Sequence, residues 1–418
     1  MGLSEKYKDF FKFDKVILII ILLLMVVSVI EVYSATSWFT HGQANFMSPL
    51  KSHIINCFIG LFVMFVVFCI PYNSFKIINK FIIMPVSLIM LGILAIKGMT
   101  ADTPQRSIDL GFMNFQASEL AKIGLILYIA RELEILPSNI EEQKPRFYRM
   151  LCCTIVFCLM IIPENLSTGL LLGFMVFVMM WVGHVDKKYL LSLLGVVLLL
   201  ASVAILLFKT IPPEKMENLP VLSRTTTWQA RVLDYSNKGD EQSENTPQEY
   251  FMKIAPDKPQ ETRANIAIAS SNILGKGPGN SDQREYLREA SNDFMFAIIV
   301  EELGLVPAIF VIAAYLALLY RIVKQVRNCK AKFPAYVLTG IGVVMFAQTM
   351  INMLVAVGSI PVTGQSLPFI TRGGSSILIY SVMMALVLNI SRENIVQSDL
   401  ARSNADTGDN ASAEYFNE

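Results

Sequence analysis

Asp293 is a carboxylate standing at the boundary of an apolar run, where an acidic side chain either caps a helix or is left free for other work. It closes the polar stretch Tyr286-Leu-Arg-Glu-Ala-Ser-Asn-Asp293, in which Glu289 is a further acid, and a long apolar run begins at Phe294. Helix capping is the competing use, because an aspartate at a helix N-terminus satisfies free N–H groups. Ser291 or Asn292 could cap instead and leave Asp293 for chemistry.

Cations that could hold an anion lie in three other segments. Arg106 opens the stretch that runs to Lys122, and its planar guanidinium suits bidentate binding of a pyrophosphate; anchoring to lipid headgroups is its alternative role. Lys276 lies in Gly275-Lys-Gly-Pro-Gly-Asn-Ser281, where glycines can turn backbone N–H groups around an anion. That spacing is not a P-loop, and an ordinary turn also accounts for it. Arg372, with the hydroxyls of Ser375 and Ser376 behind two glycines, closes the Pro- and Gly-rich stretch from Ile360. It could hold an anionic headgroup at a helix start or simply form a tight turn.

Glu119 and Lys122 stand three apart inside an apolar run, so they share a helix face. A buried pair of this kind either fixes helix packing or meets a substrate. The six cysteines and three histidines (His41, His53 and His184) show no spacing of a zinc or iron–sulfur set and no disulfide framework.

The elements that must position these groups follow from composition. Of 418 residues 54% are hydrophobic and 17% charged, which makes a bilayer the default solvent. A net charge of +1 excludes bulk electrostatic capture of nucleic acid. A hydrocarbon core of ~30 Å needs about 20 apolar residues per helix. Runs of that kind occur at 16–35, 53–70, 80–97, 117–134, 150–163, 169–184, 189–208, 293–320, 335–357 and 374–391. The expectation is an all-α, polytopic membrane protein of about ten transmembrane helices.

Lys and Arg concentrate in alternate short loops, among them Lys76, Lys80, Arg146, Arg149, Arg321, Lys324 and Lys332, which makes that face cytoplasmic together with both termini. The first run is long and further spans follow, so it reads as a span rather than a cleaved signal. One membrane domain over 1–392 is therefore expected, with a large extracytoplasmic loop at 209–292 and a disordered cytoplasmic tail at 393–418. Within the loop, the small apolar residues of 264–274 suggest a helix re-entering the interface.

In this order the segments resemble the SEDS family of shape, elongation, division and sporulation proteins, whose members include FtsW and RodA. The likeness rests on Phe115-Gln-Ala-Ser-Glu-Leu-Ala-Lys122, Gly275 through Ser281, Asp293-Phe-Met-Phe-Ala-Ile-Ile-Val-Glu-Glu-Leu-Gly304 and Pro361 through Ser376. It covers nearly the whole membrane portion, and the stretch Gly279 through Ala290 looks more like the division-type members. The chain departs from the family pattern at Ser107, Arg288, Ser291-Asn292 and Arg372, and the loop Pro163 through Gly169 matches only loosely.

The resemblance implies a peptidoglycan glycosyltransferase of cell division, polymerising lipid II at the outer face of the cytoplasmic membrane and releasing undecaprenyl pyrophosphate. Asp293 falls at the family's essential aspartate, as the catalytic residue. Arg106, Lys276, Glu119, Lys122, Glu289, Arg372, Ser375 and Ser376 are expected to bind substrate. Magnesium or manganese beside the pyrophosphate is compatible with that chemistry, though no residue set specifies one. The implied partners are a class B penicillin-binding protein, other division proteins and membrane lipids, with no nucleic acid. A lipid II flippase and a non-catalytic division scaffold are the alternatives.

Overall fold

Apolar runs of bilayer length become helices because a backbone in lipid must satisfy its own hydrogen bonds. The computed structural model describes residues 10–37, 48–100, 107–109, 114–210, 259–283, 287 and 293–415. Among them, ten helices of 17 to 42 residues build the bundle. They are α1 (Lys15–Ser37), α2 (Ser48–Cys69), α3 (Met84–Thr100), α4 (Ala117–Glu134), α5 (Ile140–Ile161), α6 (Leu166–Val182) and α7 (Lys187–Thr210), followed after the shorter α8 (Pro259–Ala269) and α9 (Met295–Leu303) by α10 (Leu305–Asn328), α11 (Lys332–Ala356) and α12 (Gly374–Tyr415). A π turn at Asn79–Ile83 leads into α3, and two short antiparallel strands, β1 (Ile108–Asp109) and β2 (Asn114–Phe115), precede α4.

Among the described residues seven helical segments are long and apolar enough to cross a membrane unaided, α3 counting together with the helical turns that lead into it from Tyr72. The others differ for visible reasons: α6 has 17 residues, and α4 and α5 carry charges at their ends, including Glu132, Glu134, Arg146 and Arg149. The ten expected spans therefore reappear as helices, with one correction.

The run 293–320 is not a single helix. It divides into α9 (Met295–Leu303) and α10 at Gly304, whose φ is 94° and ψ 176°. That region of backbone space is essentially restricted to glycine. The helix expected at 264–274 lies earlier, as α8 (Pro259–Ala269), with Ala264 and Ala267 buried and Leu274 exposed. The last helix continues to Tyr415, through most of the stretch whose composition suggested disorder.

The bundle centres on α4 and α11. Ala117, Ala121, Leu125 and Ile129 of α4 are fully buried, and α4 packs on α3, α6, α11 and α12. Between α2 and α12 the approach is close: a methyl group on Gly60 would stand 2.8 Å from Ser381 Oγ, the small-residue contact typical of membrane helices. By contrast α7 packs on α6 and leaves most of its length exposed to lipid.

Several of the cation-rich connections are held by ion pairs and hydrogen bonds to acids of the bundle. Asp14 accepts from Arg321 at 2.8 Å and Gln325 at 3.2 Å, while Lys76 meets Glu134 at 2.7 Å and Arg146 meets Glu132 at 3.2 Å.

The break at Gly304 carries a prediction. A Cβ there would lie 2.4 Å from the Gly275 nitrogen, and one on Gly275 would lie 2.3 Å from the Glu302 carbonyl oxygen. Both neighbours are backbone and cannot swing aside. Gly304→Ala is therefore expected to destabilise the protein by about 3 kcal/mol or more, combining a glycine-only conformation with a clash. Gly195→Ala, in open space on α7, should be neutral or stabilising by up to about 1 kcal/mol. Thermal unfolding in detergent compares them, and equal melting temperatures would refute the close crossing.

Candidate active site

The glycine-rich loop is held by the two acids at the end of α9. The N–H of Lys276 donates to the Glu301 carbonyl at 3.0 Å and that of Gly277 to the Glu302 carbonyl at 2.8 Å. The side chains repeat the grip. Glu301, fully buried, accepts from Lys276 Nζ at 2.7 Å, from the Asp282 N–H at 3.2 Å and from the Ser281 hydroxyl. Glu302 accepts from Ser34 Oγ of α1 at 2.5 Å and from the Gly279 N–H at 3.1 Å. The positive φ values of Gly275, Gly277 and Gly279 let the loop wrap these carboxylates.

Lys276 is thereby committed. Its three donors meet Glu301, Asp282 at 2.8 Å and Ser270 Oγ at 3.2 Å. Burial pulls its ammonium down, but the hydrogen bonds and charges of Asp282 and Glu301 outweigh that and leave it above the ordinary lysine value. The loop thus turns its lysine inward to α9, where spacing alone suggested an anion cradle.

Asp293 lies just outside α9 and is 9% exposed. Phe294 takes the N-cap position and makes no side-chain cap bond, so the carboxylate precedes the helix instead of occupying its N-cap. The Asp293 carbonyl accepts from Asn352 Nδ2 of α11 at 3.2 Å. The same amide nitrogen donates to the Gln365 carbonyl at 2.8 Å, which ties the residue before α9 to the Pro- and Gly-rich segment before α12.

From Gln365 a polar chain continues inward. Its amide donates to Thr168 Oγ1 at 2.8 Å, in the first turn of α6, where Asn165 caps the helix by accepting from the Thr168 N–H at 3.1 Å. Gln348 donates to Gln365 Oε1 at 3.2 Å and accepts from Tyr380 Oη at 2.9 Å. Tyr380, fully buried on α12, lies within electrostatic reach of Glu119.

Glu119 and Lys122 pair at 2.7 Å with side chains 4% and 0% exposed. Each is under-partnered: Glu119 Oε2 has no hydrogen-bond partner among the described residues, and Lys122 Nζ makes this bond alone there. Ser375 and Ser376 are buried in the first turn of α12, and Arg372 beside them is exposed. Arg106 and Glu289 lie outside the described residues. Among the described residues, no three His, Cys, Asp or Glu side chains come together as a metal site.

The sequence drew attention to Asp293, the Glu119–Lys122 pair and the 360–376 segment, but not to what joins them. Gln348, Asn352 and Tyr380 sit in apolar helices, and their signal was their polarity alone. An amide inside a membrane span must find a partner.

This arrangement defines a multi-span membrane protein with an aspartate placed just before a helix of the bundle and tied through its backbone carbonyl to a buried asparagine. The chain belongs to the family of cell cycle proteins that groups FtsW, RodA and SpoVE, whose model matches residues 14–395.

Its relatives include proteins named probable peptidoglycan glycosyltransferase FtsW. That of Geobacter sulfurreducens is 28% identical and covers 94% of this chain and 98% of its own length. The one from Coxiella burnetii is 26% identical, with 91% and 96% covered. Among solved structures, a chain from work on a peptidoglycan synthase complex that coordinates polymerization and crosslinking aligns with a TM-score of 0.67 at 20% identity, covering 92% of this chain and 99% of that one. The rod shape determining protein RodA of Thermus thermophilus aligns with a TM-score of 0.62 at 19% identity, covering 92% and 98%. These two likenesses show a common fold.

Proposed function

We infer that this chain is a peptidoglycan glycosyltransferase that polymerises lipid II into glycan strands during cell division. Membership of the family supports the activity, and the observation that carries the site is Asp293, a largely buried carboxylate fixed just before α9 beside the 360–376 segment.

In the reaction, Asp293 takes the proton from a sugar hydroxyl of one lipid-linked disaccharide as that oxygen attacks the anomeric carbon of another. The bond from that carbon to the pyrophosphate oxygen breaks, and undecaprenyl pyrophosphate leaves with the electron pair. Arg106 and Arg372 supply positive charge to the leaving group, with Ser375, Ser376 and the N-terminus of α12 as hydrogen-bond donors. Glu289 stands four residues before the base. Lys276 serves by holding its loop on Glu301. The unmet hydrogen-bonding capacity of Glu119 and Lys122 is reserved for substrate.

A magnesium or manganese ion, where the reaction uses one, would offset charge on the pyrophosphate. Such ions bind through one or two carboxylates plus phosphate oxygens, and Glu289 or Asp293 would supply such a carboxylate.

The lipid tails stay in the bilayer throughout, so the reacting end belongs at the outer face of the cytoplasmic membrane and both termini in the cytoplasm. A class B penicillin-binding protein, supplying crosslinks at the septum, is the fitting partner.

The purified full chain, with its transpeptidase, is expected to convert lipid II into glycan strands. Transfer of lipid II across liposomes without polymer would identify a flippase, and absence of both activities a scaffold.

A further inference from the structure

We propose that Asn352 is a positioning residue for Asp293, holding the base through its backbone. This rests on the reading of Asp293 as the base.

Asn352 is 1% exposed on α11. Its amide nitrogen reaches two carbonyls on different segments, Asp293 at 3.2 Å and Gln365 at 2.8 Å. Its own Oδ1 meets no hydrogen-bond partner among the described residues. An amide that satisfies two carbonyls while leaving its oxygen idle is placed for its donors. Burying that idle oxygen carries a cost, so the site retains the amide against a local penalty.

The two acceptors are what the site needs fixed. The Asp293 carbonyl belongs to the residue before Phe294, where α9 starts without a side-chain cap, so Asn352 supplies a lateral tether for the carboxylate's own backbone. The Gln365 carbonyl belongs to the segment that delivers Arg372 and Ser375. One side chain therefore sets the spacing between base and anion-binding segment.

The tether is itself anchored. Gln365 is held by Thr168 at 2.8 Å and Gln348 at 3.2 Å, and Gln348 by Tyr380 at 2.9 Å. Tyr315 of α10 donates to the carbonyl of Pro368, three residues beyond Gln365. Four helices, α6, α10, α11 and α12, thus converge on the segment that Asn352 joins to Asp293. Buried networks of this kind rigidify because every shift strands a polar group.

General-base catalysis is sensitive to placement, and a displacement near 1 Å can cost about 100-fold. Asn352→Ala in the full chain, assayed with lipid II and its transpeptidase, is expected to lower kcat by about 10- to 100-fold while KM for lipid II stays within about twofold. Asn352→Gln, which keeps the amide donors on a longer arm, should recover part of kcat. The double variant Asp293→Ala/Asn352→Ala should fall no further than Asp293→Ala.

The positioning role is overturned if Asn352→Ala keeps wild-type kcat, if KM rises while kcat holds, or if the loss matches a fall in folded protein that Asn352→Gln does not reverse. Should the alanine variant fail to accumulate, Asn352→Leu, similar in size but without amide donors, carries the test: reduced kcat with unaltered KM supports the role, and full activity overturns it. Asp293→Ala is measured alongside. Its retention of activity would remove the base assignment and everything positioned for it, whereas an inert Asp293→Ala beside a fully active Asn352→Ala removes the tether alone.

Discussion

Asp293→Asn is expected to reduce glycan polymerisation from lipid II by about 100- to 10,000-fold, the range a well-placed general base supplies. Asparagine keeps the size of the side chain and can still accept a hydrogen bond, but it cannot remove a proton at neutral pH. The Asn352 bond is to the Asp293 backbone, so the substitution leaves that tether in place. Expression and melting temperature should then match the parent, and the loss should fall on kcat more than on KM.

Glycan yield and length, measured on purified protein over a lipid II series, decide the matter. A polymer of ordinary length and yield from Asp293→Asn would assign proton removal to another group. A loss confined to KM would make Asp293 a binding residue. Either result would leave the fold and the family untouched, since neither rests on this carboxylate.

Hydrophobic patterning made most of the bundle legible, because each span must cross the same apolar thickness and so leaves a run of similar length. The break at Gly304 was not, since α9 and α10 are both apolar and their junction adds no polar gap. Its available signal was local: two adjacent acids, a glycine and then Pro307, a combination that ends helices in water as well as in membranes.

The Glu119–Lys122 pair could be read from its spacing because both members sit on one helix. Lys276 and Glu301 are 25 residues apart, and no helical or strand period links them. Their pairing depends on the crossing of the 272–277 segment over the end of α9, which only the positive φ of Gly275 and Gly304 allows. Asn352 was obscure for a third reason. A single amide in an apolar helix has no periodicity, and its importance comes from two carbonyls that the chain brings from 59 and 13 residues away.

Lys122→Met is expected to destabilise the protein by about 3–5 kcal/mol, because it leaves Glu119 buried without its charge partner. The pair is 0% and 4% exposed, and the Glu119 carboxylate has no second hydrogen bond among the described residues to absorb the loss. Replacing both residues, Glu119→Leu with Lys122→Met, removes the stranded charge along with its partner, and apolar replacements of buried ion pairs are often neutral or stabilising. Most of the melting temperature should therefore return in the double variant, and a double-mutant cycle in detergent measures the coupling.

Activity should not return with it. A pair kept only to brace helices has no reason to leave Glu119 Oε2 idle and Lys122 with a single bond among the described residues, whereas a pair that also meets substrate does. A double variant that is both stable and fully active would reduce the pair to a packing device. Recovered stability with no polymer would show that the pair contributes to activity beyond packing, since apolar residues then restore the fold but not the chemistry.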